Sequence, residues 1–320
     1  MPRTDFFGPR LIDDVARRVF PRFADIVVEP VEEGVSTYVY RIRRAGEIYY
    51  LRVLPEEGAS FVPEAQAHTL LRSRGARVPD VVYVDACDVA LGRSVMVTTE
   101  IVGRHVGHCR DRAEARRALA AAARDLVIVN SIPVEGFGWI ERYGAPVGHL
   151  MAEHPTYREF ALDHLEDNLA LLGMHALNPR ETAAIGEAIE RHDSLLDVAD
   201  ARLAHGDFDA THIFQQDGRY TGIIDFGEIR GADLFYDLGH FALHDGETLP
   251  FRALPYLLEG YRDVTLLPPD YEQRLHLASL LIGVKALARQ LGKPPHARGR
   301  TYLAWLSAFI QTSVKTLQND

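Results

Sequence analysis

Cysteine is scarce in this sequence: Cys87 and Cys109 are the two in 320 residues. Two isolated thiols build neither a disulfide framework nor a cysteine zinc site, so a reducing cytoplasm is the expected setting. Long apolar runs are missing too. No stretch approaches the roughly 18 apolar residues a membrane-spanning helix requires, so no membrane association is expected. The opening segment, MPRTDFFGPRLIDD, is charged and lacks the apolar core of a secretory leader, so no leader is expected. Excess positive charge is also absent: 35 Lys and Arg face 45 Asp and Glu, for a net charge of -10. That balance argues against general nucleic-acid binding, which needs a basic face. It suits a cationic partner, or simply solubility. Internal repeats and low-complexity tracts are absent as well.

The composition that remains, 47% hydrophobic and 25% charged, is that of an ordinary globular protein. A chain this long fits two lobes of unequal size. The apolar spacing Leu11, Val15, Val19, Phe23 predicts a short helix over 9–23. TYVYRIRR (37–44) and EIYYLRVL (47–54) read as a hairpin turning at Ala45-Gly46. A helix is expected from Pro63 to Gly75, and RVPDVVYVDA and RSVMVTTEIVG read as two more strands. After Gly103 the character changes to helix: 110–129, 155–173, 178–197, 250–264 and 270–319, interrupted by strand-like pieces around 203 and 222. The expected fold is therefore α+β. A small lobe, 1–102, precedes a larger helical lobe, 103–320, with a ligand in the cleft between them.

The chemistry concentrates in LAHGDFDATHIF (203–214) and GIIDFGE (222–228). Asp207 and Asp225 each end a short apolar strand beside a glycine, which permits an unusual turn and close approach. If the two strands are neighbours, the carboxylates meet. Paired carboxylates are costly unless a divalent cation or a catalytic proton sits there. Two unrelated strand-end turns would give the same letters.

The tandem HGDFDATH…IIDFGEIRGADLFYDLGH resembles the aminoglycoside phosphotransferase and choline-kinase-like family, small-molecule relatives of protein kinases. The resemblance implies a bilobal protein-kinase-like fold, with a β-rich nucleotide-binding N-lobe and a helical C-lobe. It implies ATP or GTP as co-substrate and Mg²⁺ as cofactor. Asp207 would take or orient the proton of a substrate hydroxyl, and Asp225 would bind the metal. His205 and Asp237 would support the loop. The second metal-ligand position, commonly Asn, holds His212; macrolide kinases of the family are similar in this. Gly34, Ser36 and Thr37 stand for a reduced phosphate loop. Arg52 stands where a lysine is usual and keeps the charge; its expected partner is Glu64. Backbone groups at Glu100 and Ile101 would meet the purine edge, above Phe214 and Ile224.

Acidic residues near Asp207 (Asp209, Glu228, Asp233, Asp245, Glu247, and Glu159, Asp163 and Glu166 on a helix) would receive a cationic small molecule, or are a solvated face. GFGWI (136–140) is similar to a segment of hygromycin-type kinases. The resemblance thus implies a kinase of an aminoglycoside-type antibiotic, giving resistance. Macrolide kinases, housekeeping kinases of an amino-alcohol or sugar, and a nucleotide-binding pseudokinase are the alternatives.

Overall fold

The computed structural model describes residues 7–22, 25–32, 36–144, 148–294 and 297–319. The β-branched and aromatic residues of the front third form β1 (Ile26–Val31), β2 (Tyr38–Arg44), β3 (Glu47–Val53), β4 (Val81–Asp88) and β5 (Arg93–Thr99). They make one antiparallel sheet in the order β1-β2-β3-β5-β4. Ala45 and Gly46 both take positive φ, 48° and 85°, as a two-residue hairpin turn requires. Helix α1 (Pro9–Val19) covers the sheet with Ile12, Val15 and Ala16, which pack among Tyr40, Ile42 and Leu51. The expected face of Leu11, Val15, Val19 and Phe23 is corrected in part: Leu11 is exposed, the helix ends at Val19, and Phe23 lies outside the described residues. A strict i+4 row drifts by about 40° per step around a 3.6-residue helix, so Ile12 and Ala16 share the buried stripe better. Helix α2 (Val62–Ser73) starts with Pro63 in its first turn and stops before Gly75, whose φ is 89°.

Beyond the first sheet come β6 (Arg104–His105), α3 (Arg112–Val129), β7 (Phe137–Ile140), β8 (Ala152–His154), α4 (Tyr157–Leu162), α5 (Leu165–His175) and α6 (Pro179–Arg191). Then follow β9 (Arg202–Ala204), β10 (Ile213–Gln216), β11 (Arg219–Ile223), β12 (Arg230–Ala232), α7 (Tyr236–His244), α8 (Leu254–Arg262), α9 (Tyr271–Leu291) and α10 (Ala297–Asn319). The short strands form two small sheets, β11-β10-β6 and β8-β7-β12-β9. Helix α7 is buried from Tyr236 to Leu243 and packs on α9, which packs on α10. No described helix is long and apolar enough to cross a membrane.

Three expected helices are divided. The segment 155–173 breaks at His164, a left-handed residue with φ 57°, into α4 and α5. The segment 178–197 is α6 followed by a 3₁₀ turn at Asp193–Leu196; Asn178 and Glu181 close a capping box at its start. The segment 270–319 is α9 and α10, with Gly292 capping the first. The strands leading to Asp207 and Asp225 are not neighbours, contrary to the expectation. Strand β9 pairs with β12, while β11 pairs with β10 in the other small sheet.

Candidate active site

Strand β9 delivers His205, Gly206 and Asp207. Two consecutive amides there, His205 N–H and Gly206 N–H, donate to the Asp237 carboxylate, both at 2.9 Å. Asp237 is fully buried on α7 and also accepts from Asn130 at 3.3 Å. Burial pushes its pKa up, against these donors and His205. Gly206 has φ +88°, and a Cβ there would overlap the Glu228 carbonyl oxygen. The loop therefore lies backbone against backbone on the segment after Asp225. His205 accepts the Asp207 N–H at Nδ1 (3.3 Å), which leaves Nε2–H to donate to the Ile224 carbonyl at 2.8 Å. One imidazole thus ties the end of β9 to the end of β11.

Asp225 follows β11 in a left-handed conformation, φ 64°. Its Oδ1 lies 3.7 Å from Arg52 on β3, and Arg52 is also paired with the buried Glu64 of α2. Only one Glu64 oxygen is used; Oε2 is buried without a hydrogen-bond partner. Burial would raise the Asp225 pKa, but Arg52, His212, His205 and the Gly227 amide bring it below the usual carboxylate value. A Cβ at Gly227 would lie 3.0 Å from Arg52 and 3.2 Å from Asp225, so glycine keeps that contact open.

His212, at the start of β10, joins the two carboxylates across the two sheets. Its Nδ1 bonds the Asp207 carbonyl at 2.6 Å, so Nε2 faces Asp225, 3.9 Å from Oδ2. Nδ1 also lies 3.6 Å from Asp209 and 3.9 Å from the Asp207 carboxylate. Burial alone would lower the His212 pKa; Asp209, Asp207 and Asp225 raise it overall. Ligand atoms of Asp207, Asp209 and His212 lie within 4.8 Å of one another. With Nδ1 occupied, the donors left for a hard divalent cation such as Mg²⁺ are the Asp225 carboxylate and His212 Nε2, a pair that fits one; the imidazole is its softer member.

The remaining residues singled out in the sequence are distributed as follows. Ser36 is exposed and Thr37 buried just before β2, while Gly34 lies outside the described residues. The Glu100 amide already donates to the Ile48 carbonyl at 3.2 Å. Ile101 closes on Gly222, which is paired with Phe214 across β10 and β11. Ile224 donates its amide to the His212 carbonyl at 3.0 Å.

A cavity of about 530 Å³ opens beside Gly206 and Asp207. Trp139, Tyr157, Phe160 and Tyr236 give it aromatic walls. Most of the acidic residues expected to greet a cation are engaged elsewhere. Asp209 binds Thr211, Asp233 pairs with Arg274 at 3.2 Å, Glu247 pairs with His244 at 2.7 Å, and Asp245 caps Ala253 and Leu254. Glu228 lines the cavity but pairs with Arg230 at 3.0 Å; Asp163 also lines it, while Glu159 and Glu166 do not. Glu153 and Asp167 line it without having been singled out. Sequence reasoning also missed His240, whose Nε2 lies 3.3 Å from Asp207 Oδ1. The signal was there: His240 follows Asp237 by three residues, which puts both on one face of α7.

The family model described as "Phosphotransferase enzyme family" matches residues 27–277. No protein with a curated description matches the sequence. Among solved structures, aminoglycoside phosphotransferase APH(4)-Ia is similar, with 17% identity over 96% of this chain and 99% of that one, at a TM-score of 0.68. A thermostable mutant of it, crystallised in a ternary complex with AMP-PNP and hygromycin B, has the same identity and TM-score over 95% and 98%. A protein provisionally assigned as a fructosamine-3-kinase from Thermobifida fusca has 18% identity over 96% and 99%, at a TM-score of 0.64. These likenesses establish the bilobal, protein-kinase-like fold.

Proposed function

The chain belongs to the phosphotransferase enzyme family, and on that premise we propose that it moves the γ-phosphoryl group of ATP or GTP to a hydroxyl of a small molecule held in the cavity beside Asp207. One observation carries this reading. The Asp207 carboxylate faces the cavity from a loop pinned by Asp237, while Asp225 meets Arg52 on the sheet side. A hydroxyl in the cavity and a phosphate near Arg52 would then meet at that junction. Phosphoryl transfer asks for this kind of positioning and charge neutralisation.

Asp207 accepts or orients the hydroxyl proton. Asp225 and the Nε2 of His212 hold a divalent cation, whose role is to neutralise phosphate charge. Arg52, oriented by Glu64, grips phosphate oxygens with two donors. Residues 1–102, with Gly34, Ser36, Thr37, Glu100 and Ile101, serve the nucleotide over Phe214 and Ile224. Residues 103–320 serve the acceptor. Glu153, Asp163 and Asp167 in the cavity support an amine-bearing acceptor, as the hygromycin-bound relative has. An aminoglycoside-type antibiotic therefore leads, and resistance to it is the biological consequence; Glu228 acts through Arg230 rather than on the acceptor directly.

The test is transfer from ATP and from GTP, with Mg²⁺, to a panel of aminoglycosides, macrolides and amino sugars, read as a one-phosphate mass gain of the acceptor. A gain on an aminoglycoside supports the leading reading. A gain only on a sugar or amino-alcohol moves the enzyme to metabolism. Nucleotide binding with no transfer to any hydroxyl compound would defeat the kinase reading.

A further inference from the structure

We propose that the acceptor carries an anionic group in addition to its reactive hydroxyl, and that Lys285 and Arg289 receive it. This rests on the reading that the cavity beside Asp207 holds the acceptor. Lys285 and Arg289 stand four residues apart on α9, one above the other on the same helix face, and both line the cavity. Lys285 is partly buried. Its Nζ donates to the Phe160 carbonyl at 2.6 Å and lies 4.7 Å from the centre of the Phe160 ring. Among the described residues neither cation is in an ion pair, whereas Arg230 is committed to Glu228 and Arg274 to Asp233 and Asp270.

A partly buried ammonium without a carboxylate is under-compensated, because a ring face and one carbonyl replace its lost hydration only in part. Burial is accordingly the main influence on Lys285 and lowers its pKa to about 8; Asp163 opposes this and Arg230 adds to it. An anion entering the cavity would supply what is missing. On the α4–α5 side, Asp163 and Asp167 flank His164 at 3.5 and 3.9 Å, and Glu153 lines the same cavity. These leave room for an amine on the same molecule. A polyol that carries both charges, an amino-sugar scaffold with an added acid group included, matches both sides of this lining.

Four open-chain six-carbon polyols test this: glucitol (neutral), glucamine (cationic), gluconate (anionic) and glucosaminate (zwitterionic). Binding is measured calorimetrically with a non-hydrolysable ATP analogue and Mg²⁺ present. Turnover is measured as acceptor-dependent release of nucleoside diphosphate. Gluconate and glucosaminate should bind about tenfold tighter than glucitol and glucamine, the change expected of one charge-assisted contact. Arg289→Gln and Lys285→Gln should bring the ratio toward one. Lys285→Arg should keep it, which separates lost charge from a damaged fold. Equal binding of all four, preference for glucamine, or an anion preference that survives both glutamine variants overturns the proposal. Anion-selective binding without diphosphate release upholds it and counts against the phosphotransfer reading instead.

Discussion

At the scale of single residues, two carboxylates that look alike in the sequence are set apart by their neighbours. Asp225 faces Arg52; Asp207 faces His240 and the cavity. Replacing Asp207 by Ala should lower turnover by roughly 10² or more, the usual weight of a positioned general base, while nucleotide affinity persists. Steady-state kinetics with nucleotide titration checks both halves. His240 yields a prediction about pH. Burial, then His244, lower its pKa from 6.5 to about 3. Between those values the unfolded chain binds the proton and the folded chain does not. Stability therefore falls as pH drops from about 6.5 toward 3. His212 has the opposite sign, since its pKa is raised and its contribution fades as pH rises. Urea unfolding from pH 4 to 6.5 should show a shallower slope in His240→Gln than in the parent. The letters of the two motifs were enough to gather Asp207, Asp225 and His212. They did not reveal His240: its three-residue spacing from Asp237 becomes a signal once 236–244 is read as a helix, and the crossing of α7 over the loop, which sets its contact with Asp207, leaves no local pattern.

At the scale of elements, the loop that bears Asp207 hangs from α7. Asp237 receives two backbone N–H groups at a fully buried position. Asp237→Asn turns an NH₂ toward one of them, and leaving a buried donor unmet costs about 1–3 kcal/mol. A lower urea midpoint with unchanged slope would record that cost. Four of the first sheet's five strands were legible, the β2–β3 hairpin most directly through its two-residue turn and alternating aromatics, while β1, Ile26–Val31, was not expected. The helical half was legible in kind, but neither its breaks nor α7, Tyr236–His244, were expected. His164 interrupts an unbroken amphipathic pattern without a glycine or proline, so only the packing of α4 and α5 around the cavity determines the bend. The pairing of β9 and β11 was also out of reach. Strands of three and five residues carry too little pattern to choose a partner, and β10 and β12 took those places.

At the scale of the whole molecule, nucleotide and cation are proposed to join the sheet to the helical half through Arg52, Asp225 and His212. A ligand that binds only the folded chain stabilises it by about 2.7 kcal/mol at a hundredfold excess over its Kd. Thermal unfolding should therefore shift upward with ATP and Mg²⁺ together, and Asp225→Asn should remove most of the Mg²⁺-dependent part. Gly206 bears on the chain's future as a sequence. Charge partners such as Arg52 and Glu64 can in principle be exchanged for one another's kind, so a damaged pair leaves room for repair elsewhere. At Gly206 the obstacle is a main-chain oxygen, that of Glu228, and the required φ is +88°. No other side chain can change to make room for a backbone atom. In a suppressor screen on Gly206→Ala, revertants should regain the glycine codon itself, and second-site rescue should be missing.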